Sequence, residues 1–400
     1  MRIHLPSVLL RRAGAALLAV SLVAGCGGGV DSGGTGAPVT SLASGAITGF
    51  GSVIVAGIRF DDRTATVLDA DGNARTRDDL RLGMTVEARG SGIFSDADGN
   101  EASTATSIVI RSEAIGRVVA SDLAARTLNV LGQTVDITAT TVFDSSIPDG
   151  QAGLAVGDVI EVYASVDAST AHYVATRIER KSGAADFALR GLVSNLDPVA
   201  RTFSIGATRI GYAGLAPADV PPGLSNGSFI RVRVAQVPEA GGVWPASAIG
   251  DRTPALDDRD EAKAEGLVSA FASPTQFSVN GTPVDARAAQ FPDGTAGLAL
   301  GGRVKVEGST VAGVLVATRV RIVSDAQQDD REFDVRGSIT SLDEATKTFV
   351  VRNVRVSYSG IVDFRDGTAV DLVIGIEVRA RGMLSADGTR LQATRIDFRR

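Results

Sequence analysis

The chain has almost no cysteine or histidine. Cys26 is the single cysteine of the 400 residues, and His4 and His172 are the two histidines. A single cysteine cannot form a disulfide within the chain, and a zinc site of the usual kind needs several Cys or His ligands. A nucleophile activated by histidine would have to use His172. We therefore expect no metal, no cofactor and no catalytic residue, and we interpret His172 as a polar residue at a strand end.

The chain also has no excess of positive charge. The chain carries 40 Lys and Arg against 46 Asp and Glu, a net charge of −6. Removal of three arginines near the N-terminus, Arg2, Arg11 and Arg12, would leave about −9 on the remainder. Proteins that bind nucleic acids neutralise phosphates with Lys and Arg, and anionic lipid headgroups attract basic clusters. We therefore expect no nucleic-acid partner and no polybasic contact with a membrane.

The apolar run near the N-terminus is too short to span a bilayer. It extends over twelve residues, Ala13 to Ala24, whereas a membrane span needs about 20, and it has the length of a signal peptide. The run ends in Val-Ala-Gly-Cys at residues 23–26, which resembles the lipobox of bacterial lipoproteins. The resemblance implies that residues 1–25 are a signal peptide and that Cys26 is the site of lipid attachment, through which the chain contacts a membrane.

A Gly-rich segment follows the predicted lipid site. Residues 26–43 contain Cys26 and the run from Gly27 to Gly36, a composition typical of a flexible tether. In lipoproteins of this type, Gly instead of Asp after the cysteine usually accompanies sorting to the outer membrane, and Gly27 fits that pattern. We expect a lipid-anchored protein of the cell envelope, in the outer membrane and facing the periplasm.

Internal repetition is the strongest feature of the chain. Gly-x-[Ile/Val] begins at Gly45, Gly116, Gly191, Gly266 and Gly337, with spacings of 71, 75, 75 and 71 residues. Leu-x-x-Gly ends at Gly83, Gly157, Gly227, Gly301 and Gly375. Ala-[Thr/Ser]-x-[Ile/Val] begins at Ala105, Ala175, Ala246, Ala317 and Ala393. The landmarks predict five β repeats at 44–112, 113–182, 187–250, 262–323 and 333–400, with polar linkers at 181–186, 251–261 and 324–332.

Each repeat has the pattern of about five short strands. Residues 116–180 alternate with period two between breaks of Gly, Asp and Asn, as β-hairpins do. Leu154 should plug a core after the third strand, and Gly157 should supply a positive φ before the fourth. We predict an all-β chain of five tandem OB-like barrels, with a β-sandwich in which repeats share sheets as the alternative. On a regular strand, the Ala and Ile of the third landmark would lie on opposite faces, which this pattern does not explain.

The order of these landmarks, behind a lipobox and a Gly-rich tether, resembles a family of exported bacterial β-repeat domains of unknown function. The resemblance covers residues 45–399 and implies export and tandem small β domains, without a reaction or site residues to transfer. The first repeat departs most, because its hairpin at 51–60 is shorter. It also lacks a counterpart of the aromatic residue found at Phe143, Phe291 and Phe364.

Few side chains suggest a binding site. Residues 69–73 and 96–101 combine acids with glycine, as part of a calcium loop does, but Asp-Gly is also a standard hairpin turn, the interpretation that we favour. Phe143, Phe291 and Phe364 recur about once per repeat, which indicates core positions. Trp244, the only tryptophan, could stack on a sugar ring.

Repetition without a set of reactive side chains favours a non-enzymatic, lipid-anchored envelope protein that binds or scaffolds an envelope protein or polysaccharide. The alternative is a periplasmic glycan or small-molecule receptor with a pocket in one repeat. The third repeat is the candidate, because Trp244 and Pro221-Pro222 break its pattern. A glycoside hydrolase is the least favoured hypothesis, since no pair of acids stands out by position.

Overall fold

The computed structural model describes residues 38–250 and 257–399. The predicted signal peptide (1–25) and Cys26 lie outside these residues. Within the described ranges, one short α-helix, α1 (Asp325–Asp329), and four 3-10 turns are the only helical elements, and all other regular structure is strand. No helix in this part of the chain has the length and apolar character needed to cross a membrane.

The strands fall into five consecutive groups. Barrel 1 contains β1 (Thr40–Phe50), β2 (Val53–Val55), β3 (Ile58–Asp61), β4 (Thr66–Leu68), β5 (Ala74–Arg75), β6 (Thr85–Ser91), β7 (Phe94–Ser95) and β8 (Glu101–Ile110). Barrel 2 contains β9 (Ala114–Asp122), β10 (Thr127–Val130), β11 (Gln133–Phe143), β12 (Val159–Asp167) and β13 (His172–Arg180). Barrel 3 contains β14 (Phe187–Asp197), β15 (Thr202–Ile205), β16 (Thr208–Gly211), β17 (Phe229–Val234) and β18 (Trp244–Ile249).

The last two groups follow the same order. Barrel 4 contains β19 (Arg259–Ser273), β20 (Gln276–Val279), β21 (Thr282–Asp285), β22 (Arg303–Val311) and β23 (Val314–Ile322). Barrel 5 contains β24 (Phe333–Asp343), β25 (Thr348–Val351), β26 (Val354–Ser357), β27 (Asp363–Arg365), β28 (Glu377–Leu384) and β29 (Leu391–Arg399).

Every group closes into a barrel with one strand order. In barrel 2, β9 pairs with β10, β10 with β11, β11 with β13 in parallel, β13 with β12, and β12 with β9 again. The equivalent closures occur in barrels 1, 3, 4 and 5. This order, 1-2-3-5-4 with a parallel 3–5 contact, is that of an OB-like barrel. The prediction of five tandem OB-like repeats is confirmed.

The connection before the fourth main strand of each barrel contains the Leu-x-x-Gly landmark. Its leucine is buried in four barrels (Leu80, Leu154, Leu298 and Leu372) and partly buried in barrel 3 (Leu224). Its glycine has φ between 79° and 97° in all five barrels, a region that favours glycine. The leucine therefore fills the barrel end while the glycine turns the chain into the next strand, as predicted.

A β-bulge in the last strand of each barrel explains the third landmark. In barrel 2, Tyr163 pairs with Arg177 but Ala164 pairs with Ala175, so Thr176 is an extra residue. The other four barrels shift register at the equivalent Thr or Ser. An extra residue reverses the alternation of faces, so that both Ala175 and Ile178 point inward, 1% and 0% exposed. The hydroxyl of Thr176 donates to the Tyr163 carbonyl at 3.1 Å, and the threonines of barrels 1, 4 and 5 do the same.

The first strands of the barrels also join the barrels to one another. Residues 41–44 of β1 pair in parallel with β19 of barrel 4, and residues 49–50 pair in parallel with β24 of barrel 5. Strand β9 of barrel 2 likewise pairs with β14 of barrel 3, but in antiparallel orientation. Continuous apolar clusters follow these contacts, because one cluster joins barrels 1 and 5 and another joins barrels 2 and 3. The barrels are OB-like units, and they also share sheets, as the sandwich alternative anticipated.

Two predicted segment boundaries require correction, and one predicted linker contains a short helix. The tether was predicted to extend to residue 43, but β1 begins at Thr40, because pairing with β6 and β19 places Leu42 and Ala43 in buried positions. The linker predicted at 251–261 ends earlier, since β19 begins at Arg259. The linker predicted at 324–332 contains α1, whose Gln328 donates to the Thr140 hydroxyl of barrel 2 at 2.9 Å.

We expect Gly49→Ala to weaken the contact between barrels 1 and 5. A Cβ at this position would lie 2.2 Å from the Asp334 carbonyl oxygen of β24, so the paired backbones must separate. Forced overpacking costs about 1–3 kcal/mol, which urea unfolding should show as a lower free energy of unfolding. Gly214→Ala is the control, because no atom lies within 4 Å of its Cβ position. Equal stability of the two variants would contradict the close strand contact.

Candidate functional site

The predicted lipid-attachment residue, Cys26, lies outside the described residues, so the structure provides no geometry for it. His172 is at the start of β13, where its Nδ1 atom is 3.0 Å from the Asp136 carboxylate of β11. The pair connects two adjacent strands, and about a third of each side chain is exposed. This position agrees with the interpretation of His172 as a polar strand-end residue.

The two acidic Gly-containing segments form hairpin turns. The Asp69 carboxylate accepts hydrogen bonds from the backbone N–H groups of Asp71 and Asn73, between β4 and β5. Asp96 makes the same contacts with Asp98 and Asn100, between β7 and β8. Each first carboxylate is therefore occupied by its own turn. Within the described ranges, no group of three His, Cys, Asp or Glu side chains has the geometry to hold a metal ion.

The aromatic residues singled out in the sequence pack against barrel interiors. Phe143 is 4% exposed, and Phe291 and Phe364 are partly buried against the apolar clusters of their barrels. The ring of Trp244 lies 6.3 Å from the ring of Phe187 at an angle of 45°. Trp244 therefore belongs to the wall of barrel 3, and it lines none of the cavities described below.

A cavity of about 430 Å³ lies where barrels 1, 2 and 3 meet, and we call it the charged cleft. The β4–β5 hairpin of barrel 1, the ends of β12 and β13 and strand β17 provide its walls. Its six cationic side chains are Arg75, Arg81, Arg180, Lys181, Arg231 and Arg233. Its seven acidic side chains are Asp69, Asp71, Asp79, Asp144, Glu161, Glu179 and Asp186. The two signs nearly balance, so the charged cleft is strongly polar without a large net charge.

Apart from Arg81, whose side chain donates to the carbonyl groups of Asp78 and Leu80, the cations of the cleft are paired with carboxylates. Arg75 contacts Asp69 at 2.8 Å, and Lys181 contacts Glu161 at 2.6 Å. Arg180 contacts Asp158, just outside the cleft, at 2.7 Å. Each ion pair also has further hydrogen-bonding capacity. The cleft therefore presents hydrogen-bond donors and acceptors whose charges are already neutralised by a partner.

One set of ion pairs connects barrel 1 to barrel 3. Asp71, at the tip of the β4–β5 hairpin, lies 3.4 Å from Arg231 and 3.9 Å from Arg233 of β17. The Arg231 side chain is only 2% exposed and also donates to the Ser112 carbonyl at 3.0 Å. Arg233 is further paired with Asp186 at 3.5 Å. The hairpin found in barrel 1 therefore forms one side of the cleft and contacts a buried guanidinium on the other.

Two acids of the cleft, Asp69 and Asp144, have a lowered pKa and are held in the ionised form. Burial alone would raise the pKa of Asp69, but hydrogen bonds from Asn73 and Arg75 outweigh it and lower that pKa. Burial is likewise outweighed at Asp144, where hydrogen bonds from Ser146 and the charge of Arg177 lower the pKa. A lowered carboxyl pKa stabilises the folded state above the unfolded pKa, and this stability is lost as pH falls through the folded pKa. At neutral pH these carboxylates accept hydrogen bonds and cannot donate a proton.

Tyr163 is the aromatic residue of the charged cleft. It projects from β12 away from the interior of barrel 2, and it is 3% exposed against the cluster of barrel 1. Burial, together with the charges of Glu161 and Glu179, raises its pKa well above the ordinary value. Its hydroxyl makes no hydrogen bond to another described residue. The lining of the cleft therefore contains a neutral phenol whose hydroxyl has no hydrogen-bond partner among the described residues.

Two carboxylates face the same side of the cleft as Tyr163. Glu161 and Glu179 are directly opposite each other on β12 and β13, an arrangement in which like charges repel. Lys181 neutralises Glu161, and Arg177 contacts Glu179 at 2.5 Å. A glycoside hydrolase needs one protonated and one free carboxyl, whereas each of these carboxylates has a cationic partner.

The sequence did not identify this cleft. Its residues come from three repeats, and each is an ordinary charged residue on a strand or turn within its own repeat. The one local signal is the β4–β5 hairpin, whose Asp69–Asn73 turn was noted for its acids. Among the cleft residues, only those of that turn were singled out beforehand.

Three segments of the chain match a family model described as "Domain of unknown function (DUF5666)". The matched residues are 116–179, 265–321 and 336–397, which lie in barrels 2, 4 and 5. The chain therefore contains tandem repeats that are similar to a domain of unknown function, as the landmarks predicted. Barrels 1 and 3 lie outside the matched residues but have the same strand order.

Among solved structures, the chain is similar to one titled "drosophila Unr CSD456". The identity is 15% and the TM-score is 0.16, and the similarity covers 49% of this chain and 84% of that chain. The barrel topology accordingly rests on the strand pairings alone. Comparison with curated proteins gives no match.

We expect the hydroxyl of Tyr163 to contribute little to stability. Tyr163→Phe should change the free energy of unfolding by less than about 0.5 kcal/mol, since no protein hydrogen bond is lost. Tyr173→Phe is the matched variant from the neighbouring strand, because its buried hydroxyl donates to the Arg190 carbonyl at 2.7 Å. Loss of that bond should cost about 1–3 kcal/mol. Urea unfolding of both variants tests the difference, and a large cost for Tyr163→Phe would show that its hydroxyl is structural.

Proposed function

We propose that this chain is a non-enzymatic binding protein of the cell envelope, tethered by a lipid on Cys26, whose charged cleft holds a neutral, hydroxyl-rich ligand such as a glycan. The observation that carries the proposal is the charged cleft itself. It combines internally paired charges with the Tyr163 hydroxyl, which has no hydrogen-bond partner among the described residues, at the junction of three barrels.

The pairing of charges favours a neutral ligand. A charged ligand would have to compete with ion pairs such as Lys181–Glu161, which are already 2.6 Å apart. A ligand with many hydroxyl groups can instead accept from the guanidinium groups and donate to the carboxylates without displacing either partner. Glycans have this combination of donors and acceptors, and the cavity volume falls within the range of small-molecule sites, about 300–1,000 Å³.

The same features support binding without a reaction. The low pKa values of Asp69 and Asp144 remove two candidate proton donors. Glu161 and Glu179 are both neutralised by cations. Since general acid catalysis requires a protonated group at the working pH, the cleft is equipped to recognise hydroxyl groups and not to protonate a leaving group.

The envelope location rests on the sequence at the N-terminus. A short apolar run after arginines, followed by Val-Ala-Gly-Cys, supports lipid attachment at Cys26, and Gly27 supports sorting to the outer membrane, with the body facing the periplasm. In this arrangement the five barrels present the charged cleft to periplasmic polysaccharide. The site differs from the receptor hypothesis based on sequence, because it lies between repeats instead of within the third.

Ligand binding should stabilise the body of the protein. All buried residues of the three apolar clusters lie within residues 42–398, so a chain that starts at residue 27 retains every core residue. Neutral oligosaccharides from envelope glycans should raise its melting temperature by a few degrees. This follows because a ligand at 100 times its Kd adds about 2.7 kcal/mol. Acidic sugars of the same size should have a smaller effect.

The control for this screen uses two tyrosines. Tyr163→Phe should abolish the shift caused by the neutral oligosaccharide, and Tyr358→Phe, in barrel 5 and away from the cleft, should preserve it. Absence of a shift with any neutral glycan, or an equal shift in both variants, would refute the charged cleft as the binding site.

We expect Cys26→Ser to prevent lipid attachment in cells. A serine hydroxyl does not replace the thiol as acceptor of the diacylglycerol, so metabolic labelling with an alkyne fatty acid should no longer label the protein. Ser32→Ala, in the same Gly-rich segment, should leave labelling unchanged. Persistent labelling of the Cys26→Ser protein would contradict lipid attachment at Cys26.

A further inference from the structure

A second cavity, of about 210 Å³, lies where barrels 1, 2 and 5 meet, and we call it the amphipathic cavity. It differs from the charged cleft in having mostly apolar walls. These are formed by Leu82, Val142, Phe143, Val354, Leu384 and Leu391. Four arginines also line it: Arg81, Arg177, Arg355 and Arg390. Asp144 is the only acidic residue of the lining.

One of the four arginines, Arg177, is held by several polar contacts within the protein. Arg177 contacts Asp144 at 2.9 Å and Glu179 at 2.5 Å, and it donates to the Leu82 carbonyl at 3.1 Å. Its side chain is only 5% exposed. The single acid of the lining is therefore neutralised by this arginine and cannot balance the other three.

Each of the other three arginines has at most a weak contact with a carboxylate. Arg81 donates to the carbonyl groups of Asp78 and Leu80. Arg390 is 4.0 Å from Asp387. The side chain of Arg355, on β26, forms neither a hydrogen bond nor an ion pair with any described residue. The chain as a whole has a net charge of −6. The amphipathic cavity is locally positive instead, because three weakly partnered guanidinium groups line it.

Both parts of this lining point to one class of ligand. Guanidinium groups bind carboxylates and phosphates through charge-assisted hydrogen bonds, whereas the apolar walls gain free energy only by covering hydrocarbon. We propose that the amphipathic cavity binds an anionic amphiphile, with a carboxylate or phosphate head and a short apolar chain. The head contacts Arg355, Arg390 and Arg81, and the apolar chain lies against the leucine and valine side chains.

The size of the cavity limits the ligand. At about 210 Å³ the cavity is smaller than the range of about 300–1,000 Å³ typical of drug-sized ligands, so it suits a head group and a short segment of hydrocarbon. A medium-chain acyl anion therefore fits better than an entire diacyl lipid. This inference does not depend on the glycan proposal, since the two cavities have different walls and share only Arg81 and Asp144.

Calorimetric titration of the chain from residue 27 with octanoate tests the proposal. Octanoate should bind at least about tenfold more tightly than 1-octanol, which lacks the charge, and than acetate, which lacks the chain. A hydrogen bond to a charged group is large enough to give that factor. Octyl phosphate should also bind, and its affinity relative to octanoate identifies the preferred head group. Equal binding of octanol and octanoate would overturn the proposal.

A pair of arginine variants locates the site. Arg355→Gln should weaken octanoate binding at least about tenfold while leaving the melting temperature unchanged, because the side chain of Arg355 is exposed and has no protein partner to lose. Arg319→Gln, an exposed arginine on β23 outside the cavity, should have no effect. Undiminished binding in Arg355→Gln would refute the site.

Tyr163→Phe separates this proposal from the glycan proposal. Tyr163 lines the charged cleft and not the amphipathic cavity, so octanoate binding should be the same in this variant as in the unaltered chain. Loss of octanoate binding in Tyr163→Phe would place the anion in the charged cleft and overturn the assignment to the amphipathic cavity.

Discussion

The rest of the structure depends on one constraint in the first strand of each barrel. Each half of this strand pairs with only one other strand of its own barrel. In an OB-like barrel this strand pairs with the fourth strand through its first half and with the second strand through its other half. In barrel 1, β1 pairs with β6 at residues 40–46 and with β2 at residues 47–49. Each half therefore has one unpaired edge, which would invite association with other chains. Strand β19 covers one edge and β24 covers the other, so closing the edges brings barrels 4 and 5 against barrel 1.

The repeated sequence specifies the barrel through two short motifs. The glycine of Leu-x-x-Gly adopts positive φ in every barrel, and the Thr or Ser of Ala-[Thr/Ser]-x-[Ile/Val] is the extra residue of a bulge. The bulge turns both Ala and Ile inward, and the threonine hydroxyl satisfies a carbonyl on the neighbouring strand. Both motifs act within a single barrel, so they are present in every barrel, including barrels 1 and 3, which the family model does not match.

This locality explains what could be predicted from the sequence. Five strands per repeat, the plugging leucine and the turning glycine follow from neighbouring residues, and the structure contains them. The contact of Ser41 with Glu261, 220 residues away, follows from strand edges that no local pattern marks. Because β1 looks like a polar, Ser-rich segment, its first residues were assigned to the tether. The charged cleft could not be predicted for the same reason. The pattern of residues 69–73 indicates only a hairpin turn, and Arg231 is an ordinary strand residue until barrels 1 and 3 meet.

Joining barrels by their edges leaves gaps where curved walls meet, and the charges that line each gap determine its chemistry. In the charged cleft most cations contact acids, either within one wall, as Arg75 does with Asp69, or across the cleft, as Arg231 and Arg233 do with Asp71. Such a site can select a ligand only by the arrangement of donors and acceptors. In the amphipathic cavity the carboxylate of Asp144 is paired with Arg177, so it does not neutralise the other guanidinium groups. These groups favour a counter-charge from outside the protein. One assembly principle, applied at two junctions, therefore produces one site suited to a neutral ligand and one suited to an anion.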